Sequence, residues 1–114
     1  MNPSVSTAAL IAVSIPAINT VAKRHSLQAA PVRLLVAIGA ADSHGDGVKL
    51  PQLPAHSVTA RQRFAKLVEL GLAERFRPTT RMGQRVRLTL KGRMLAAEVD
   101  REVVKRARKL MIQG

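Results

Sequence analysis

Hydrophobic positions along the chain recur at helical spacing in four stretches and at strand spacing in two. In 4–24, Ala8, Ile11, Ile15, Ile18 and Ala22 return every three or four residues, which predicts a helix with one apolar stripe. Ser4 can cap its start. Pro16 removes an internal hydrogen bond and predicts a kink or restart near Ser14. Lys23, Arg24 and His25 suit a helix C-terminus. In 27–41, Pro31 fits a first helical turn, and Leu34, Leu35, Ile38 and Ala41 form a second buried face. The run 42–47 is a turn by composition, and Pro51 and Pro54 leave room for one short helical turn at most.

Ser57 is a good N-cap for a third helix running to about Leu70. Ala60, Phe64, Leu67 and Val68 fall on its apolar side, with Thr59, Arg61, Gln62 and Lys66 largely opposite. Gly71 is the expected stop, in the left-handed conformation. Two short strands at 72–77 and 84–89 flank a loop, and in the second Val86 and Leu88 alternate with Arg85 and Arg87. A long helix from about Leu90 to Ile112 has the stripe Ala96, Val99, Val103, Ala107 and Leu110. The fold class expected is mainly α with a small two-stranded β-wing, a winged helix-turn-helix. One exposed helix has the width to enter a major groove, and an earlier helix braces it. The 114 residues form one domain: an N-terminal helix in 1–26, a core in 27–89 whose wing occupies 72–89, and a C-terminal helix in 90–114.

Charge sharpens this picture. Nineteen Lys and Arg against seven Asp and Glu give a net charge of +12. Residues 61–114 hold fifteen of those cations and five of the acids, so nearly all the excess lies there. From Arg75 to Arg93 there are seven cations and no acid, and such uncompensated charge suggests a polyanionic partner. Thirteen of the cations are Arg, whose planar fork suits phosphate and guanine. Cysteine is absent, which excludes disulfides, thiolate metal sites and a thiol nucleophile. His25, His44 and His56 have no metal-ligand spacing, and no nucleophile or acid–base setting is visible. No cofactor is expected and no enzymatic activity. With two Phe and no Trp or Tyr, base stacking on single strands is disfavoured. Residues 1–22 carry no charge, but Ser, Thr and Pro interrupt the stretch and no basic residue opens it. A buried or interface helix is expected rather than a membrane span or secretory signal, with a cytoplasmic, nucleoid-associated location.

Residues 64–75, FAKLVELGLAER, resemble the end of the recognition helix in MarR-type transcriptional regulators, with their L-x-x-x-GL-x-x-R pattern. Residues 81–92, RMGQRVRLTLKG, resemble the wing of that family and the LT-x-x-G start of the helix after it. The resemblance runs from about Leu27 to Gly92 and more loosely beyond. It implies a homodimer that reads duplex DNA, with the terminal helices forming the dimer interface.

The candidate DNA-binding residues of the reading helix are Ser57, Thr59, Arg61, Gln62 and Lys66. Arg61 and Gln62 are candidates for base edges, and Ser57, Thr59 and Lys66 for phosphate. In the wing they are Arg77, Arg81, Arg85 and Arg87, with Arg81 at the loop tip placed to enter a minor groove. Ile11, Ile15, Ile18, Val99, Val103 and Leu110 are the candidate dimer interface, because a small reading core has too little surface to cover two long apolar stripes. The function expected is a sequence-specific regulator of transcription acting as a homodimeric repressor, with any small-molecule or protein effector unidentified. The alternatives are a phage, plasmid or nucleoid-associated DNA-binding protein of low specificity, or a winged-helix module that binds other proteins.

Overall fold

The computed structural model describes residues 7–42, 47–49, 58–77 and 83–113. Ser4, Pro51, Pro54, Ser57 and Arg81 lie outside the described residues, as do the side chains of Ala8, Ile11, Thr59 and Ala60. Among the described residues, four helices, α1 (Thr7–Arg24), α2 (Ala29–Ala41), α3 (Val58–Glu69) and α4 (Leu90–Gln113), accompany strands β1 (Ala73–Phe76) and β2 (Arg85–Leu88). The strands pair antiparallel, with Ala73 opposite Leu88 and Phe76 opposite Arg85. The architecture is therefore mainly helical with a small two-stranded antiparallel sheet.

α1 runs through Pro16 as one helix, so the restart expected near Ser14 is absent. The hydrogen bond lost at Pro16 is offset by burial of Val13, Ala17 and Val21, and packing rather than local propensity decides helix continuity. The stripe is also rotated from the expected one. Ile18 and Ala22 are buried, but Ile15 is 57% exposed, because Val13, Ala17 and Val21 face inward instead. Two adjacent stripes in α1 are both apolar, and periodicity alone does not say which one α4 covers.

Both α1 and α3 end on the same backbone device. At the end of α3, Gly71 has φ +74°, its N–H bonds the Val68 carbonyl, and the Leu72 N–H bonds the Leu67 carbonyl at 2.9 Å. Leu67 and Leu72 are both buried, which supplies the hydrophobic contact that accompanies this cap. At the end of α1, Ser26 takes the glycine position with φ 56°, and the Leu27 N–H bonds the Ala22 carbonyl at 2.8 Å.

The core gathers Phe64 and Leu67 from α3, Val32, Leu35 and Ile38 from α2, Val21 from α1 and Val99 from α4, all fully buried. Val86 and Leu88 close it from the sheet. Val48 extends that sheet by one position, exchanging backbone hydrogen bonds of 2.9 Å with Val86 in both directions.

The β2–α4 junction is equally specific. The Thr89 hydroxyl accepts the Gly92 N–H at 3.1 Å, as an N-cap does three residues ahead, and donates to the Gly71 carbonyl at 2.7 Å. The Thr89 N–H bonds the Leu72 carbonyl at 3.1 Å. The first turn of α4 is thereby pressed onto the turn that ends α3, and Gly92 is the point of closest approach.

Candidate nucleic-acid interface

α3 is amphipathic in the sense a groove-binding helix requires. Phe64 and Leu67 anchor it in the core, and Arg61, Gln62, Ala65, Lys66 and Glu69 form one exposed face. Arg63 is half-buried beside that face. Arg61 and Gln62 make no hydrogen bond or ion pair with any described residue. Lys66 lies 3.7 Å from Glu69, both well exposed, a contact worth no more than about 0.5 kcal/mol. The structure thus brings Arg61, Gln62 and Lys66 together on one exposed face.

The hairpin departs from expectation. Its residues divide between two faces, with Ala73, Val86 and Leu88 buried on one and Glu74, Phe76, Arg85 and Arg87 on the other. Glu74 stands directly opposite Arg87, and Arg87 Nε donates to it at 2.7 Å. The same guanidinium lies 4.0 Å from the centroid of the Phe76 ring. Arg85 Nη1 donates to the Gly47 carbonyl at 3.2 Å, tying the hairpin to the segment that follows α2. Arg85 and Arg87, candidates for DNA contact by sequence, thus each hold an internal partner. For Arg87 the partner comes from strand register. Glu74 stands one residue before the acid-free run, and antiparallel register carries it across to Arg87. Arg75 leans over the Phe64 ring at 5.0 Å, which leaves Arg77 as the exposed, unpaired wing cation among the described residues.

The proposed dimer residues also divide. Ile18 and Val99 are buried within the chain, because α1 and α4 pack lengthwise on each other and cover most of both stripes. Val103 is half-buried between two clusters of that packing, one of them built on Val13 and Ala107. Of the six, Ile15 and Leu110 are exposed. The assumption that one chain cannot cover its own terminal stripes is overturned. Each helix is the other's cover.

Charges reinforce that pairing. Arg24 Nη1 donates to Glu98 at 2.7 Å, and His25 Nε2 lies 2.9 Å from the other oxygen of the same carboxylate. The hydrogen bond with His25, helped by Arg24, holds the Glu98 carboxyl below the usual carboxylate range against the opposing effect of desolvation. Arg106 donates to Glu102 at 3.0 Å and to the Thr20 hydroxyl at 2.6 Å. Arg106 is thus an internal clamp, and its i, i+4 spacing from Glu102 was the available sequence signal. Beside Glu98 lies a cavity of about 460 Å³ between the α1–α2 link, the end of α3 and α4, floored by Leu27, Leu70, Leu72 and Leu95. Lys91 at its edge reaches the Leu70 carbonyl at 3.4 Å, a cation at the C-terminus of α3. Among the described residues, no group of acidic or histidine side chains could hold a metal ion, and no helix is long and apolar enough to cross a membrane.

The chain matches no model of a known protein family and no curated protein.

Proposed function

We propose that this protein is a winged helix-turn-helix that binds duplex DNA through α3 and the β1–β2 hairpin and regulates transcription. The observation that carries this reading is the exposed face of α3. Arg61, Gln62 and Lys66 stand together there, anchored from behind by Phe64 and Leu67 and next to a hairpin that presents Arg77. Arg and Gln are the side chains whose paired donors and acceptors match guanine and adenine edges in the major groove. The resemblance of residues 64–92 to MarR-type regulators points the same way. A homodimeric repressor is the form proposed, its two-fold contact now resting on Ile15 and Leu110, which remain exposed after α1 and α4 have covered each other.

The test is a comparison of duplexes. A binding site is selected from a random pool, and affinities for it and for a scrambled duplex are measured at fixed salt. Arg61→Ala and Gln62→Ala should each remove about 1–3 kcal/mol of preference for the selected site and less of the binding to scrambled DNA. Equal loss on both duplexes would assign these residues to the backbone alone. Failure of the selection to converge would favour a DNA-binding protein of low specificity, a second reading that the net charge of +12 supports.

A further inference from the structure

The ion pairs between α1 and α4 use only one side of α4. Glu98, Glu102 and Arg106 turn toward Arg24, His25 and Thr20. Val99, Val103 and Ala107 point into the packing with α1. Opposite that apolar stripe stand Arg101, Lys105, Arg108 and Lys109, all exposed and without an ion pair or hydrogen bond to any described residue; Glu98 and Glu102 flank them, but those carboxylates are taken up by Arg24, His25 and Arg106. At 3.6 residues per turn these four fall within an arc of about 100° and along about 12 Å of helix. Asp100 borders this face and pairs with none of them. Gly92 marks where α4 touches the end of α3, and the four cations lie about 14 to 26 Å further along the axis. They are therefore remote from the junction that positions the hairpin.

We infer that this outer face of α4 is a second, sequence-blind phosphate-binding surface, engaging the DNA backbone independently of α3. Charge selects the occupant. A second copy of the chain would bring the same four cations against themselves. An anionic membrane surface calls for a continuous apolar stripe to insert, and the apolar stripe of α4 is already spent on α1. The exposed apolar residues in line with the cationic face are Leu90 and Met94 near the start of α4 and Ile112 near its end, with half-buried Val104 between; the four cations interrupt them, so they form no continuous stripe for insertion. A phosphate backbone needs no such stripe, and release of its counterions on contact with Lys and Arg drives binding. The inference rests on the proposed DNA binding for its partner, but on different residues.

The experiment measures affinity for a random-sequence duplex and for the selected site across a salt series, with three proteins. These are the wild type, the quadruple variant Arg101→Gln/Lys105→Gln/Arg108→Gln/Lys109→Gln, and the α3 variant Arg61→Gln/Lys66→Gln. Melting midpoints should be unchanged in both variants, since every altered side chain is exposed. The quadruple variant should lower the slope of log K against log salt by about 3 to 4, at about 0.9 per lost contact, and keep its preference for a selected site. The α3 variant should lose that preference and less than about 2 of the slope. An unchanged slope in the quadruple variant, with loss in the α3 variant, overturns the second surface and leaves the α3 reading standing. Loss in the quadruple variant alone upholds the second surface and removes α3 from the proposal. A wild type that binds no duplex but floats with phosphatidylserine vesicles overturns both, and assigns the face to membranes.

Discussion

Replacing Gly92 by Ala tests the junction on which the geometry of α3, hairpin and α4 depends. In most helices this substitution stabilises by up to about 1 kcal/mol, because Ala is the better helix former. Here a Cβ at residue 92 would lie 1.9 Å from the Leu72 carbonyl oxygen and 2.9 Å from its carbon. That is about 1.5 Å inside ordinary contact at 3.4 Å, and the obstacle is backbone rather than a flexible side chain. The Leu72 carbonyl also accepts the Thr89 N–H, so moving it disturbs that bond and the Thr89 cap over Gly92. Overpacking costs about 1–3 kcal/mol, and a weakened cap and hydrogen bond each add about 1. Net of the helix preference, Gly92→Ala should destabilise by about 2–4 kcal/mol, a fall in melting midpoint of about 8–16 °C at roughly 4 °C per kcal/mol. Gly39→Ala is the internal control. Its Cβ would meet the flexible Leu88 Cδ1 at 3.3 Å and Ala96 Cβ at 3.8 Å, so it should be neutral or slightly stabilising. Urea unfolding of both variants against the wild type measures the difference. A Gly92→Ala protein as stable as Gly39→Ala would refute the close approach of α4 to the α3 turn.

Ser26→Gly should stabilise by about 0.5–1 kcal/mol, since Ser26 holds φ 56° where glycine is unstrained; urea midpoints decide, and a destabilised variant would mean that the serine side chain is needed there. Glu98 has a folded-state pKa below its unfolded value, so its contribution is complete above the ordinary carboxylate pKa of about 4.3 and is lost as pH falls through the folded value. Glu98→Gln should flatten the acid side of the melting profile, and parallel profiles for the two proteins would contradict the α1–α4 clamp. Arg87→Ala should lower stability by about 1 kcal/mol through loss of Glu74 and the Phe76 ring, whereas Arg77→Ala should leave stability unchanged and weaken duplex binding. Paired melting and binding measurements that show the reverse would undo the division of the wing cations. Leu110→Glu should lower the mass found by sedimentation if a two-fold contact uses that residue, and Val103→Asp is unsuited to this test because Val103 supports the chain's own packing.

Fold and site were legible in the sequence to different degrees. Local signals of one or two turns located α2, α3, both strands and α4 to within a few residues. Gly71 ended α3 for the reason its position suggested, since only a left-handed residue allows that cap. The polar face of α3 was readable because Phe64 and Leu67 leave Arg61, Gln62 and Lys66 no inward direction. What the sequence could not say was which of several chemically equivalent options another element would take up. Two apolar stripes share α1, and contact with α4 chose the one that leaves Ile15 outside. A run of cations counted along the chain held no acid, yet strand pairing set Glu74 against Arg87. Serine showed no sign of a left-handed cap at position 26, because the demand for one arises where the chain turns from α1 into α2. α4 is rich in charge along its length, and only the packing on α1 gave Glu98, Glu102 and Arg106 internal partners and left Arg101, Lys105, Arg108 and Lys109 without one among the described residues. Periodicity is a property of one element and survives in the sequence. Pairing is a property of two elements at a distance, and it exists only once the tertiary fold has brought them together.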